Sequence, residues 1–222
     1  MSETPQDPPP APRRSFRDRK LHAEGVLAGV AAMLGAGDIA VDLGANVGTV
    51  TETLARSGAT VFAFEPDPVA FAALARRVSG RTNVQAINAA VGLSEGQVTL
   101  LRSVKFDDDP VAATVSSTIM PGKRDRDAAG ANDLEVRQVD LIAFLRGLIA
   151  QHGRIAFVKM DIEGGELDLL PALSAAGLLD EIGYTVVETH QRKFPEKRKD
   201  FIKLRRLMSN RHSPLQLNLD WI

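Results

Sequence analysis

The sequence predicts an α/β fold, a doubly wound and mostly parallel sheet with helices on both faces. Three observations carry this. Residues 39–56 read as a short apolar strand, a turn containing Gly44 and Gly48, and a helix start, the order that opens an α/β nucleotide-binding unit. A β-branched and aromatic run, Thr60 to Phe64, then ends at Glu65-Pro66-Asp67-Pro68. Further on, apolar runs of strand length keep alternating with segments of helical period, the pattern of a parallel sheet covered by helices.

The elements follow in order. Pro5, Pro8, Pro9, Pro10 and Pro12 crowd the N-terminus, so residues 1–15 read as a Pro-rich tail that cannot bury enough apolar surface to order itself. Residues 16–222 read as one domain. A helix is expected from Phe16 to Gly35–Gly37, whose glycines suit a C-terminal cap. After the strands at 39–41 and 60–64, residues 69–79 place Phe71, Leu74 and Val78 on one helical face, with Asp67 as the cap. Residues 84–87 and 98–101 read as strands. Residues 102–133 are polar, with Asp107-Asp108-Asp109-Pro110, Ser116-Ser117-Thr118 and Pro121-Gly122; a loop of this length is commonly functional or disordered, and it is read as a substrate-side lid or as plain surface disorder. Strand 135–139 leads to a helix over 140–151, capped by Asp140, with Leu141, Phe144, Leu145 and Leu148 inward. A strand at 155–158 runs into Lys159-Met160-Asp161, a helix covers 167–175, and the strand at 184–187 ends at Glu188-Thr189-His190. Residues 195–208 form a basic helix with Phe201 and Leu204 inward, and 215–219 a last strand, antiparallel at an edge.

Composition narrows the function. The chain has 222 residues, a formal net charge of -1 and no cysteine. Thiolate metal sites, thiol nucleophiles and disulfides are excluded, and the charge gives no nucleic-acid signature. No apolar run reaches bilayer-spanning length. The apolar stretch 25–37 follows several basic residues, but His22 and Glu24 interrupt it and no small-residue cleavage site follows. A cytoplasmic protein is therefore expected.

Asp42, at the end of the first strand, selects the ligand. A dinucleotide would set its pyrophosphate on the glycine turn and helix N-terminus, where a carboxylate repels it. A carboxylate attracts a ligand with an ammonium or sulfonium group, and S-adenosylmethionine carries both. The dinucleotide fingerprint also fails, because Asn46 and Thr49 follow Gly44 where glycines belong. Glu65, about 20 residues beyond Gly44, stands where an acid accepts hydrogen bonds from ribose hydroxyls.

Five stretches carry a family resemblance: residues 42–48, Phe64-Glu65-Pro66, Asn88-Ala89-Ala90-Val91-Gly92, residues 159–166 (Lys-Met-Asp-Ile-Glu-Gly-Gly-Glu), and Glu188-Thr189-His190. The chain resembles the class I methyltransferases and, more narrowly, the FkbM-type family of S-adenosylmethionine-dependent O-methyltransferases. The resemblance spans residues 39–190 and implies a Rossmann-like fold. It implies cofactor contacts from Asp42, Gly44, Asn46, Gly48, Glu65, Asn88 and Ala89. Asn88 either bonds the adenine or holds a turn. The acceptor is expected to be a hydroxyl of a sugar, glycan or secondary metabolite.

The chemistry is expected at the strand ends. Lys159, Asp161 and Glu163 share one side by strand alternation. Asp161 serves as general base, orienting group or metal ligand, or pairs with Lys159. His190 offers a base near neutral pH or is a packing residue. Glu163 matches the family motif, so it ranks as a catalytic candidate above Glu166, which either complements the helix dipole or meets substrate. Asp161, Glu188 and His190 together could ligate Mg²⁺ or another divalent ion, although a metal is not favoured. The basic stretch 192–211 reads as a solvated helix face or an anion-recognising surface. The rival functions are a methyltransferase-like binding module without activity and a nucleic-acid methyltransferase. Against the second, the D/N-P-P-Y/F motif and the cysteine nucleophile are both absent.

Overall fold

The computed structural model describes residues 15–102, 117–123 and 132–221. The N-terminal tail, apart from Ser15, lies outside the described residues, as do 103–116 and 124–131 of the expected lid.

The elements in order are α1 (Phe16–Met33), β1 (Ile39–Leu43), α2 (Thr49–Arg56), β2 (Thr60–Phe64), α3 (Pro68–Arg77), β3 (Val84–Ile87), β4 (Ala90–Gly92), β5 (Gly96–Leu100), β6 (Leu134–Asp140), α4 (Leu141–His152), β7 (Ile155–Met160), α5 (Glu166–Ala175), α6 (Leu178–Glu181), β8 (Ile182–Val187), α7 (Arg198–Arg211) and β9 (Leu217–Asn218). The main sheet runs β3-β2-β1-β7-β8-β9, with every pairing parallel. Its order reverses between β1 and β7. Such a switch point opens a crevice beyond the strand C-termini, where ligands of open α/β sheets bind.

Strand alternation places helices on both faces. Val41, Leu43, Val158 and Met160 point into a cluster with Leu141, Leu145 and Leu148 of α4, Leu169, Leu170 and Leu173 of α5, and Phe201, Leu204 and Met208 of α7. Ala40, Val61 and Phe157 point the other way, onto Ala23 and Val30 of α1 and Leu54 and Ala55 of α2. β1 is buried along its whole length, as both faces of a central parallel strand must be.

Several local expectations are corrected. The first helix stops at Met33 and its cap residue is Leu34 in extended conformation; chain direction, rather than a glycine cap, ends it. Ser15 and Asp18 begin it with a reciprocal capping box, which satisfies two orphan N–H groups. The last strand is only Leu217–Asn218 and pairs parallel with β8, because α7 returns the chain to the bottom of the sheet before β9 begins. Sequence reading also misses a second sheet, β4-β6-β5. In it β6 pairs parallel with β4 and antiparallel with β5, and a bridge from Leu101 to Thr118 extends it. Three residues ending in Gly92 carry too little pattern to announce a strand.

Candidate active site

A cavity of about 390 Å³ opens at the switch point. The loops after β1, β2, β7 and β8 line it, and Ser117, Thr118 and Ile119 cover one side.

The loop after β1 is shaped by backbone conformation. Gly44 has φ +75, and a Cβ there would lie 1.8 Å from the carbonyl oxygen of Asp161. Only glycine allows the loops after β1 and β7 to touch backbone to backbone. The N–H groups of Gly44 and Ala45 both donate to Phe64 O, at 3.0 and 2.9 Å. Asn46 takes a left-handed φ of 48, and its N–H donates to Glu65 Oε2 at 2.8 Å. Glu65 Oε1 accepts from Asp67 N–H at 2.8 Å. Glu65 is 5% exposed, and burial pushes its carboxyl up to about 7 despite those two donors. Each of its oxygens keeps a second lone pair for a ligand hydroxyl.

Gly44, Asn46, Glu65 and Ala89 line the cavity, whereas Asp42, Gly48 and Asn88 do not. Asp42 is fully buried. It accepts from Thr51 Oγ1 at 2.6 Å and lies 3.3 Å from Lys159 Nζ. Its charge is neutralised inside the protein, so the direct attraction for a cationic ligand that singled it out does not operate. Gly48 is the N-cap of α2 at φ 84, and a Cβ there would strike Leu74 Cδ1 at 2.6 Å. Asn88 Nδ2 donates to Glu65 O at 2.8 Å and Pro66 O at 3.1 Å. Of its two expected roles the structure favours the turn.

Across the cavity stands a network of carboxylates and cations. Asp161 N–H donates to Leu43 O at 3.0 Å. Its Oδ2 lies 3.5 Å from Lys159 Nζ and its Oδ1 3.3 Å from His190 Nε2. Burial works against its charge, but Lys159 and His190 hold it well below the usual carboxylate range. Lys159 also donates to Gly44 O at 2.6 Å; burial opposes its charge too, yet Asp42 and Asp161 raise it above an ordinary lysine. The expected Lys159–Asp161 pair is therefore present, shared with Asp42. Glu163, at φ 55, accepts from Lys123 Nζ at 2.8 Å and from Lys193 Nζ. Thr118 Oγ1 donates to the Glu163 carbonyl.

His190 is 2% exposed and does not line the cavity. Nδ1 faces Glu166 Oε1 at 3.1 Å, and Nε2 has carboxylate oxygens of Asp161, Glu163 and Glu188 at 3.3–3.6 Å. Burial disfavours its charge, but Glu166 and Asp161 overcome that and raise its pKa well above the usual histidine value. Raised in this way, the ring favours its protonated form, which has no lone pair to serve as a base, so the geometry speaks for His190 orienting Asp161 rather than taking a proton. Glu166, fully buried, accepts from Ile162 N–H at 3.1 Å and Gly164 N–H at 2.9 Å. It locks the loop after β7, a role the helix-dipole reading misses. Ligand atoms of Asp161, Glu163 and His190 lie within 4.8 Å of one another; Glu188, named in the expected metal trio, is outside that group. The two ammonium groups on Glu163 stand where a divalent ion would need its oxygens, and the cluster is read as ion-paired internally.

Residues 117–123 close the cavity as a strap. Arg102 grips the buried Asp67 through two bonds of 2.9 and 3.0 Å, Ser117 Oγ reaches the same carboxylate at 3.4 Å, and Lys123 anchors on Glu163. Ser117 and Thr118 fall in the polar run 116–118 of the expected lid, but no sequence motif marks them or Lys123 as anchors. The basic residues of α7 and its approach are largely exposed, as a solvated helix face should be. Arg205 is an exception, donating to Thr189 Oγ1 at 2.8 Å.

The family model "Methyltransferase FkbM domain" matches residues 42–213 of this chain. No curated protein matches the chain. Among solved structures, a precorrin 8w decarboxylase from Methanobacterium thermoautotrophicum is similar at 16% identity and a TM-score of 0.42, covering 89% of this chain and 73% of that one. A SAM-dependent methyltransferase from Thiobacillus denitrificans, solved with S-adenosyl-L-homocysteine, is 17% identical with a TM-score of 0.27, over 88% of this chain and 79% of that one. The 23S rRNA methyltransferase ErmE is 28% identical with a TM-score of 0.26, over 29% of this chain. That match spans 28% of ErmE's own length, too little to carry its substrate across.

Proposed function

The chain belongs to the FkbM methyltransferase family, its methyl donor is S-adenosylmethionine, and from that premise we propose that its acceptor is a hydroxyl of a sugar, glycan or secondary metabolite. One observation carries the reading. A single cavity is lined by Glu65 and by the Asp161, Glu163 and Glu188 carboxylates. Glu65 would take the ribose hydroxyls. Asp161 and Glu163 would offset a sulfonium charge, and Glu188 would face the acceptor. Methyl transfer asks the protein mainly to align acceptor oxygen, methyl carbon and sulfur and to accept a proton. Gly44, Asn46 and Ala89 would bound the donor, and Asp161 and Glu163, tied down by cations, would orient the acceptor. His190 would fix Asp161 from behind.

No helix among the described residues is long and apolar enough to cross a membrane, and a cytoplasmic location is part of the same proposal. The test is transfer of labelled methyl from S-adenosylmethionine across a panel of hydroxylated sugars, glycans and polyketide-like alcohols, with amines and ribosomal RNA alongside. Label in an alkali-stable ether is the expected product. Label entering only amines or RNA would overturn the hydroxyl assignment.

A further inference from the structure

Four carboxylates line the cavity: Glu65, Asp161, Glu163 and Glu188. Three of them are already engaged. Glu65 accepts a backbone N–H on each oxygen. Asp161 has Lys159 on one oxygen and His190 on the other. Glu163 carries the ammonium groups of Lys123 and Lys193. Glu188 differs. Its N–H donates to Met160 O at 2.9 Å, which fixes the backbone at the end of β8. Among the described residues its side chain, 19% exposed, meets only His190 Nε2, 3.6 Å from Oε1, too long for a hydrogen bond.

We propose that Glu188 is the catalytic base, the group that takes the acceptor's proton. The inference rests on the methyl-transfer reading above and names a residue that the sequence suggests only as a metal ligand. In the step, the acceptor O–H gives its proton to a Glu188 carboxylate oxygen. The acceptor oxygen's electron pair forms the new O–C bond to the donor methyl. The C–S bond breaks, and its electrons remain on sulfur, which becomes a neutral thioether. The proton then leaves Glu188 for water. The groups facing Glu188 are Asp161, Glu163 and Lys159 from β7 and its loop, and His190 and Lys193 from its own loop. Burial first, then the Asp161 charge, pushes its carboxyl up to about 7, against His190 and Lys193, which favour its ionised form. A base poised there is matched to neutral working pH. Asp161, held far below that range, is a much weaker proton acceptor. His190 is buried outside the cavity lining, with carboxylates on both ring nitrogens that favour its protonated form.

The experiment compares wild type with E188Q and E188D on the hydroxyl acceptors and the matched amines, alongside calorimetric binding of S-adenosylmethionine. E188Q should keep cofactor affinity within about threefold and acceptor KM nearly unchanged, while kcat falls about 10²–10⁴-fold, the range for loss of a general base. E188D should recover part of that loss. At saturating S-adenosylmethionine, where the Glu65 titration drops out, wild-type kcat/KM for the acceptor should rise with pH through a limb near 7 that E188Q lacks. Full turnover in E188Q, an unchanged pH limb, or a collapse of cofactor binding would each overturn the assignment. Transfer to amines but not to hydroxyls would refute the acceptor reading alone, since an ammonium acceptor must also lose a proton and the E188Q comparison still decides. Should no acceptor in the panel turn over, infrared titration decides instead. In a Glu65→Gln background, which removes the other carboxyl that titrates in this range, a carboxyl stretch that appears on lowering the pH from 8 to 6 and vanishes on adding E188Q supports the assignment, and its absence before E188Q is added refutes it.

Discussion

On the proposed reading, in which Glu65 takes the ribose hydroxyls, cofactor affinity should depend on pH in one direction. Its carboxyl is pushed from an ordinary 4.5 up to about 7 by burial. In the empty protein it therefore holds a proton that the unfolded chain has released. That contributes stability present below the ordinary carboxyl range and lost as pH rises through about 7, on the order of 3 kcal/mol in all. On that reading a bound ribose diol would supply two donors that prefer the ionised carboxylate, and binding would expel the proton. At pH 6 about nine molecules in ten must first lose that proton, which weakens affinity about tenfold, or about 1.4 kcal/mol, relative to the plateau above 7. S-adenosylhomocysteine is the right probe. It has the ribose but no sulfonium, so it reports Glu65 and leaves Glu188 silent. Calorimetry at pH 6 in buffers of different ionisation enthalpy should find close to one proton released per ligand bound in wild type and none in Glu65→Gln. A dissociation constant that stays flat from pH 5.5 to 8, or equal proton release in the variant, would refute the reasoning.

Two further outcomes test the frame around the cavity. Asp67→Ala removes the partner of Arg102 and Ser117 and the cap of α3 together. Breaking a buried ion pair costs about 3–5 kcal/mol, so melting should drop by roughly 6–20 °C for a chain of this size, and hydrogen exchange should quicken across 117–123. A thermally neutral variant would show that the strap is held elsewhere. Gly44→Ala places a Cβ against Asp161 O and should abolish S-adenosylmethionine binding even where circular dichroism shows a folded protein; retained affinity would mean that the two loops separate freely.

The parallel frame is legible because each strand–turn–helix unit carries its own punctuation. Asp67 and Asp140 read as caps from sequence, and both accept hydrogen bonds from the first turns of their helices. Glu65 can be placed by spacing alone, since the end of a buried strand is an unmistakable position. Asp42 leads to S-adenosylmethionine, the family's methyl donor, yet its side chain lies outside the cavity lining for a physical reason. Sequence shows that a carboxylate stands at a strand end, but not that Lys159, more than a hundred residues later, is brought 3.3 Å from it by the β1–β7 pairing. The state of His190 is hidden from sequence in the same way. Its usual pKa is a property of the isolated ring, and its real state is set by Glu166, Asp161, Glu163 and Glu188 arriving from two loops. Residues 102–133 stand out as a polar segment too long for an ordinary loop, but the anchors of the strap within it are invisible in sequence, because they are single long-range contacts with no periodicity behind them.

The strap also divides the molecule as an engineer would. Its anchor points, Asp67 and Glu163, belong to the chassis: one caps α3 beside the donor loop, the other follows β7. What it presents to the cavity, Ser117, Thr118 and Ile119, is a short cartridge. As long as Arg102 and Lys123 keep their grips, residue 119 can be exchanged for larger or smaller side chains without disturbing Glu65 or the lysine-bridged carboxylates. On the proposed reading, retargeting to new acceptors should start at Ile119 and leave the strand ends alone.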